Sequence, residues 1–137
     1  MMIHNELKQK LGKMAAEMRQ RSYSPYSHYS VGAALLTKNG NVYTGCNIEN
    51  AAYPVTICAE RTAIFKAVSE GECEFEAIAI ATEDGYGYPC GSCRQVMVEF
   101  SFDMMVLLAD AEGNITVETN VKELLPGAFT PVNLLKK

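Results

Sequence analysis

The chain has 137 residues, of which 48% are hydrophobic and 20% charged, a composition typical of one globular domain with its own core. A net charge of −4 without any run of Lys and Arg argues against nucleic-acid binding, and no apolar stretch could cross a membrane. The N-terminal residues lack the basic and apolar regions of a signal peptide. With an odd number of cysteines, five, we expect a single domain, residues 1–137, in the reducing cytoplasm.

Apolar periodicity and turn residues predict nine regular elements. Asn5 is the candidate N-cap of the first helix, Asn39-Gly40 is a strong hairpin turn, and Thr56 could cap the second helix. In chain order we predict a helix at 6–20, a Ser- and Tyr-rich loop at 22–30, strands at 31–36 and 41–46, a helix at 58–70, a strand at 75–82, a helix at 90–100, strands at 104–109 and 115–118, and a short helix ending at 124–125.

The order of these elements, α-β-β-α-β-α-β-β-α, predicts the fold class. Strands connected through helices favour a mixed sheet covered by helices on both sides. The connection at 110–114 is too short for a parallel crossover, so the last two strands should be antiparallel. We therefore expect an α/β fold, a three-layer αβα sandwich around a mixed five-stranded sheet.

Three cysteines lie at predicted helix starts. Cys58 opens the second helix, and Cys90 and Cys93 form a Cys-x-x-Cys pair at the start of the third. Helix N-termini stabilise thiolates, and three protein ligands with one open position are typical of catalytic zinc. The alternatives are a redox pair or a structural zinc with Cys46 as its fourth ligand, although Cys46 fits a small core residue at a strand end.

Glu60 and Arg61 lie two and three residues after Cys58 and suit two further tasks. A carboxylate beside the open metal position can move the proton of a bound water, although a first-turn acid could simply complement the helix dipole. Residues two apart do not share a helix face, so Cys58 and Glu60 converge only if both point beyond the first turn. Arg61 could offset the charge of about −1 that three thiolates leave on Zn²⁺, with Arg94 as a second candidate.

Asn47, Glu49 and the loop tyrosines carry a weaker signal. Amide and carboxylate side chains after a strand could contact sugar hydroxyls, but the pattern alone favours a turn held by side chain to backbone hydrogen bonds. Tyr29 could stack on a flat ring or be an ordinary half-buried loop residue.

Two motifs together resemble one known family. Cys-Ala-Glu-Arg at 58–61 and Pro-Cys-Gly-Ser-Cys-Arg-Gln at 89–95 are similar to the small, homotetrameric, zinc-dependent cytidine deaminases. The resemblance extends to 26–34, 47–50 and 124–129, and so covers most of the chain.

The resemblance implies a reaction. Cys58, Cys90 and Cys93 would bind Zn²⁺, and a zinc-bound hydroxide would attack C4 of cytidine or 2′-deoxycytidine with Glu60 as the proton shuttle. Uridine or 2′-deoxyuridine and ammonia would form, as in pyrimidine salvage. The substrate would be a small nucleoside, with no nucleic acid and no membrane involved.

The resemblance also implies the substrate contacts and a homotetramer whose subunits share pocket residues. Asn47 and Glu49 would hold the ribose 3′-hydroxyl, which reverses the preference from the pattern alone. The remaining implied contacts are the ring of Tyr29 as a pocket wall, the backbone at Ala59 for the base carbonyl, Phe129 in a neighbouring subunit's pocket, and Ala51 and Tyr53 at that interface.

Two departures from the family pattern affect the pocket loop rather than the zinc chemistry. Tyr29 stands where relatives often have Phe, and Ser30 replaces a common proline. The alternative functions are deamination of another cytosine nucleoside such as blasticidin S, a nucleic-acid-editing deaminase, and a structural zinc module.

Overall fold

A central sheet organises the part of the chain that the structure, a computed structural model, describes, residues 3–135. No helix in this range is long and apolar enough to span a bilayer. The elements are α1 Asn5–Met18, β1 Gly32–Thr37, β2 Val42–Cys46, α2 Ala59–Ser69, β3 Phe75–Ala81, α3 Gly91–Phe100, β4 Met105–Ala109, β5 Ile115–Asn120, α4 Val121–Leu124 and α5 Pro131–Leu135, with 3₁₀ turns at Arg19–Arg21 and Tyr53–Val55.

The five strands form one mixed sheet in the order β2-β1-β3-β4-β5. β1 is antiparallel to both β2 and β3, β3 and β4 are parallel, and β4 and β5 are antiparallel. α3 makes the crossover that the parallel pair requires. The predictions of a mixed five-stranded sheet and of an antiparallel final pair are therefore confirmed.

Helices cover both faces of the sheet, and the central strand β3 shows why. Its alternate residues Ala77, Ala79 and Ala81 pack in the cluster under α1, while Ile78 and Ile80 pack in the cluster under α2 and α3. Side chains of a strand alternate between faces, so a strand without polar alternation must be buried on both. The three-layer αβα sandwich is confirmed.

Several predicted boundaries were wrong by a few residues. His4 is the N-cap of α1 and makes no side-chain cap bond, so Asn5 is not the cap. Thr56 does not cap α2, because Cys58 holds that position. The helix α5, which begins at Pro131, was not predicted. The N–H of Thr130, directly before it, donates to the Asn133 side chain. A five-residue helix offers too little periodicity to detect.

Gly32 sets how closely α1 lies on the sheet. A Cβ atom at this position would stand 1.9 Å from the carbonyl oxygen of Ala15 in α1. The small side chains on this face of β3 and the missing side chain at Gly32 allow the helix backbone to approach the strands directly.

We predict that Gly32→Ala lowers the free energy of unfolding by roughly 3 kcal/mol or more, because backbone atoms must move to remove the clash. Urea unfolding measures the change. Gly91→Ala is the matched control, since a Cβ there meets nothing within 4 Å. Equal unfolding midpoints for Gly32→Ala and wild type would contradict the packing described here.

Candidate active site

The N-termini of α2 and α3 meet beside the end of β3. Cys58 is the N-cap of α2 and Cys90 is the N-cap of α3, and both have extended backbones, with φ −78°, ψ 154° and φ −68°, ψ 169°. The prediction that Cys58 itself opens the helix was therefore off by one residue. An N-cap residue is not yet helical, so its side chain can project ahead of the first turn.

Three cysteine sulfurs form a cluster at this junction. The Sγ atoms of Cys58, Cys90 and Cys93 all lie within 4.8 Å of one another, and those of Cys58 and Cys90 are 3.8 Å apart. Tetrahedral zinc with Zn–S bonds of about 2.3 Å holds its sulfurs about 3.8 Å apart. The cluster therefore fits zinc, and among residues 3–135 it is the only such group of Cys, His, Asp and Glu.

Cys46 does not join the cluster. Its thiol donates a hydrogen bond of 3.3 Å to the carbonyl oxygen of Arg21, and burial raises its pKa. This structure thus gives no support to a closed four-cysteine site. Cys46 is a core residue at the end of β2, as its position in the hairpin indicated.

Cys93 and Arg61 both stabilise the negative charge of the Cys58 thiolate. The pKa of Cys58 falls to about 5, chiefly because the Cys93 thiol donates to its sulfur and secondarily because Arg61 does. The distance from Arg61 Nη2 to Cys58 Sγ is 3.3 Å. The pKa of Cys93 is raised by its hydrogen bond to Cys58 and by burial. Arg94 instead donates to backbone carbonyls.

Glu60 is buried beside the sulfurs, with 4% of its surface exposed, and lines the same cavity as Cys58. The two side chains converge because Cys58 precedes the helix as its N-cap. Two residues this far apart inside a helix would point to different faces, but this does not apply to Cys58 and Glu60. Burial raises the pKa of Glu60 to about 7. A carboxyl group with such a pKa can take up and return a proton near neutral pH.

A cavity of about 250 Å³ opens beside Glu60, and Cys58 and Cys90 also line it. Most of the residues expected to contact substrate line it, whereas Ala51 and Phe129 do not. Phe129 is 62% exposed on the C-terminal segment of its own chain. The predicted residues in the wall are Tyr29, Asn47, Glu49, Tyr53, Ala59 and Glu60.

Asn47 uses most of its hydrogen-bonding capacity to hold the loop at 22–31. Its Oδ1 accepts from Val31 N at 2.9 Å and from the hydroxyl of Ser22, and its Nδ2 donates to the carbonyl of Tyr29 at 2.7 Å. One N–H of the amide remains for another partner.

Glu49 is buried and holds the same loop. One carboxylate oxygen accepts from the backbone N–H groups of Tyr26 and Ser27, at 3.0 and 3.1 Å, and the other accepts from the hydroxyl of Ser27. These bonds, led by the hydroxyl, lower the pKa of Glu49. A carboxylate oxygen has more than one lone pair, so the Ser27-bonded oxygen can accept a second hydrogen bond.

The cavity wall also contains Ser27 and Tyr88, neither of which was predicted. Ser27 lines the cavity and orients Glu49, but no spacing in the sequence marks it out. Tyr88 also lines the cavity, and its place directly before the Pro89-Cys90 motif is the signal that could have revealed it.

A three-thiolate cluster at two helix N-termini, beside a buried glutamate, defines the class of zinc-dependent deaminases. Comparison with known families agrees: residues 5–109 match the cytidine and deoxycytidylate deaminase zinc-binding region. The chain belongs to this family. Its cofactor is zinc, as the cysteine motifs predicted.

Individual relatives support the same assignment. A cytidine deaminase of Sporosarcina psychrophila is 50% identical over 92% of this chain and 93% of its own length. A crystal structure of cytidine deaminase from Burkholderia pseudomallei superposes with a TM-score of 0.84 at 43% identity, over 93% of this chain and all of that one. A blasticidin-S deaminase of Bacillus cereus is 34% identical over 88% of this chain and 90% of its own length.

The buried, hydrogen-bonded Glu49 should make stability depend on pH. Its pKa is lower in the folded state than in the unfolded chain, so the ionised group stabilises the fold above the unfolded pKa of about 4.3. This stabilisation is lost as pH falls through the folded pKa. Glu49→Gln should therefore lower the melting temperature at pH 7, with a difference from wild type that shrinks below about pH 4.

Thermal unfolding at a series of pH values from 7 to 3 measures this difference, and Glu17→Gln, an exposed carboxylate of α1, is the control. A Glu49→Gln difference that stays constant across the series would show that the ionised form is not stabilised in the folded chain.

Proposed function

We propose that the chain, as one domain, hydrolyses cytidine and 2′-deoxycytidine to uridine and 2′-deoxyuridine with release of ammonia, a step of pyrimidine salvage. The observation that carries this proposal is the buried Glu60 beside a cluster of three cysteine sulfurs, at a cavity whose wall includes Glu60, Cys58 and Cys90. We assign Cys58, Cys90 and Cys93 as the zinc ligands, and Glu60 as the catalytic acid and base.

The chain's own residues account for the proton transfers. Zinc held by the three thiolates supplies a Lewis acid that makes water nucleophilic near neutral pH. Glu60 takes a proton from the attacking water and delivers it to N3 of the base. Glu60 then takes the second proton from the new C4 hydroxyl and passes it to the leaving amine, so that C4 becomes a carbonyl. Water is consumed, the C4–N bond breaks and ammonia leaves. Arg61 offsets the thiolate charge through Cys58.

The polar wall of the cavity suits a ribose 3′-hydroxyl. The remaining N–H of Asn47 can donate to the hydroxyl oxygen, and a carboxylate oxygen of Glu49 can accept its proton. These two contacts do not involve the 2′ position, so both cytidine and 2′-deoxycytidine fit the proposal. The ring of Tyr29 forms an adjacent wall, and the backbone at Ala59 would meet the base carbonyl.

Blasticidin S, the other candidate substrate, has an observation in its favour, the 34% identity with a blasticidin-S deaminase. The Asn47 and Glu49 pair favours a nucleoside with a free 3′-hydroxyl. Turnover of cytidine, 2′-deoxycytidine and blasticidin S, measured side by side, separates the two. Turnover of blasticidin S without turnover of cytidine would overturn the choice of substrate.

Glu60→Gln tests the proposed chemistry. The amide keeps the size of the side chain but cannot transfer protons, so kcat should fall by roughly 10² to 10⁴. The loss of cytidine absorbance on conversion to uridine gives the rate, and zinc content is measured on the same samples. We expect the variant to retain its zinc.

Glu17→Gln, remote from the cavity, is the control for this experiment. Activity that survives in Glu60→Gln would exclude Glu60 as the proton carrier. Zinc binding by the wild type without turnover of any cytosine nucleoside would favour a structural metal.

We propose further that the protein is a homotetramer in the cytoplasm. Support comes from large apolar side chains on its surface, with Tyr53 56%, Val55 66% and Phe129 62% exposed, and from cysteines that are all unpaired. Phe129 lies outside its own chain's cavity, which leaves it free to reach a neighbour's. Ala51, exposed near Tyr53, would lie at the same interface.

Sedimentation equilibrium should give a mass four times the 15.0 kDa of the chain. Phe129→Ala should raise KM for cytidine roughly tenfold, because burial of an aromatic ring against substrate contributes 1–3 kcal/mol at most sites. Val132→Ala, another exposed apolar residue of the C-terminal segment, is the control. A fully active species of 15.0 kDa would refute the shared pocket.

A further inference from the structure

Arg94 links the metal cluster to the C-terminal part of the chain. Its Nε donates to the carbonyl oxygen of Pro89 at 2.8 Å, directly before Cys90, and its Nη1 donates to the carbonyl oxygen of Leu124 at 2.8 Å. The guanidinium is part-buried between these partners. A rigid fork of donors can hold two carbonyls at once, which the single ammonium of a lysine does less well.

Gln95, the next residue, holds the C-terminal part at a second point. Its Nε2 donates to the carbonyl oxygen of Phe129 at 2.9 Å. Two neighbouring residues of α3 therefore hold the segment 124–130 near both of its ends. At its start, the N–H of Leu125 also donates to the carbonyl oxygen of Val121, which precedes the segment.

Arg94 and Gln95 differ in their contacts, so an experiment can distinguish their contributions. Arg94 contacts both the segment before Cys90 and the C-terminal segment, whereas Gln95 contacts only the latter. Neither side chain hydrogen-bonds a sulfur atom of the cluster. Both therefore act through the backbone.

We propose that Arg94 is a positioning residue that couples metal binding to the placement of the C-terminal segment 124–130, and that Gln95 completes the attachment of this segment. When the three thiolates close on a metal ion, the Pro89-Cys90 backbone is fixed. Arg94 then has one fixed carbonyl and can hold the carbonyl of Leu124 in place. Loss of the metal frees Pro89 and loosens the segment that carries Phe129.

The inference rests on the proposed metal ligands but not on the substrate or the deamination. It makes the exposed Phe129 a residue whose position depends on the metal. If Phe129 enters a neighbouring pocket, a subunit without metal would also impair the site next to it.

Amide hydrogen exchange of the whole protein, with zinc bound and after chelation, tests the coupling. In the wild type we expect chelation to accelerate exchange in 124–133 roughly tenfold, as expected when a charge-assisted hydrogen bond is weakened. The reporters are the amide of Leu125, which donates to the carbonyl oxygen of Val121, and the amide of Thr130, which donates to the Asn133 side chain. Strand β4 is the internal reference and should stay protected.

Two variants separate the contacts. In Arg94→Ala, exchange in 124–133 should already be fast and should no longer respond to zinc. In Gln95→Leu it should be faster than in wild type but should still respond. Lys122→Ala, on the exposed side of α4, is the control and should behave as wild type.

The absorption of cobalt bound in place of zinc gives a second readout. Its ligand-field bands report the geometry of the thiolates, so they should shift in Arg94→Ala and remain unchanged in Gln95→Leu. If Arg94→Ala does not fold, the wild-type and Gln95→Leu exchange data still decide whether metal binding is coupled to the C-terminal segment.

Unchanged exchange in 124–133 on chelation of fully loaded wild type would overturn the coupling, as would acceleration of β4 to the same degree. If exchange in 124–133 still responds to zinc in Arg94→Ala, Arg94 does not carry the coupling. Zinc content and cytidine turnover are measured on the same samples. An inactive protein that binds zinc and still shows the coupling would contradict only the proposed function.

Discussion

The fold has to hold three sulfur ligands and a carboxyl group together in a space of a few ångströms. Ionised thiolates and a carboxylate repel one another, and burial makes each charge more costly. Two helix N-termini point their unpaired N–H groups and positive dipole ends at the cluster, and Arg61 donates to Cys58. Burial raises the pKa of Glu60, which favours its neutral form beside the thiolates. A dication bound by the three sulfurs would offset the remaining negative charge.

The position of α2 depends on a close contact with β2. A Cβ at Gly45 would lie 2.6 Å from the carbonyl oxygen of Ala59, so only glycine lets the first turn of α2 rest directly on the strand. Thr62 adds hydrogen bonds from its hydroxyl to the carbonyl oxygens of Cys46 and Cys58, at 3.1 and 3.2 Å. The strand end that leads to Asn47 and the helix start that bears Glu60 are therefore fixed to one another. The side of the cavity that Asn47 lines and the side that Glu60 lines therefore share one rigid frame.

Elements with a long apolar pattern and residues with a chemically specific spacing could be predicted from the sequence. The strand at 75–82 was recognisable because it is apolar on both faces, and the three cysteines because thiolates at helix starts have few other uses. Capping was not predictable, since Cys58 and Cys90 are N-caps without any capping hydrogen bond from their side chains. The contribution of Ser27 was also invisible, because it depends on a loop whose shape is fixed by residues some 20 positions away.

The structural interpretation of Asn47 and Glu49 and the functional one are compatible with each other. Nearly all of their hydrogen-bonding groups fasten the loop at 22–31, as the turn interpretation expected, yet both residues line the cavity. The loop bonds fix the orientation of the amide and the carboxylate, and leave one N–H and one lone pair for the proposed contact with substrate. Such side chains lose little conformational freedom on binding, because folding has already ordered them. Hydrogen bonds in the same network hold the backbone of Tyr29, so a change at either residue would disturb this wall of the cavity together with the proposed sugar contact.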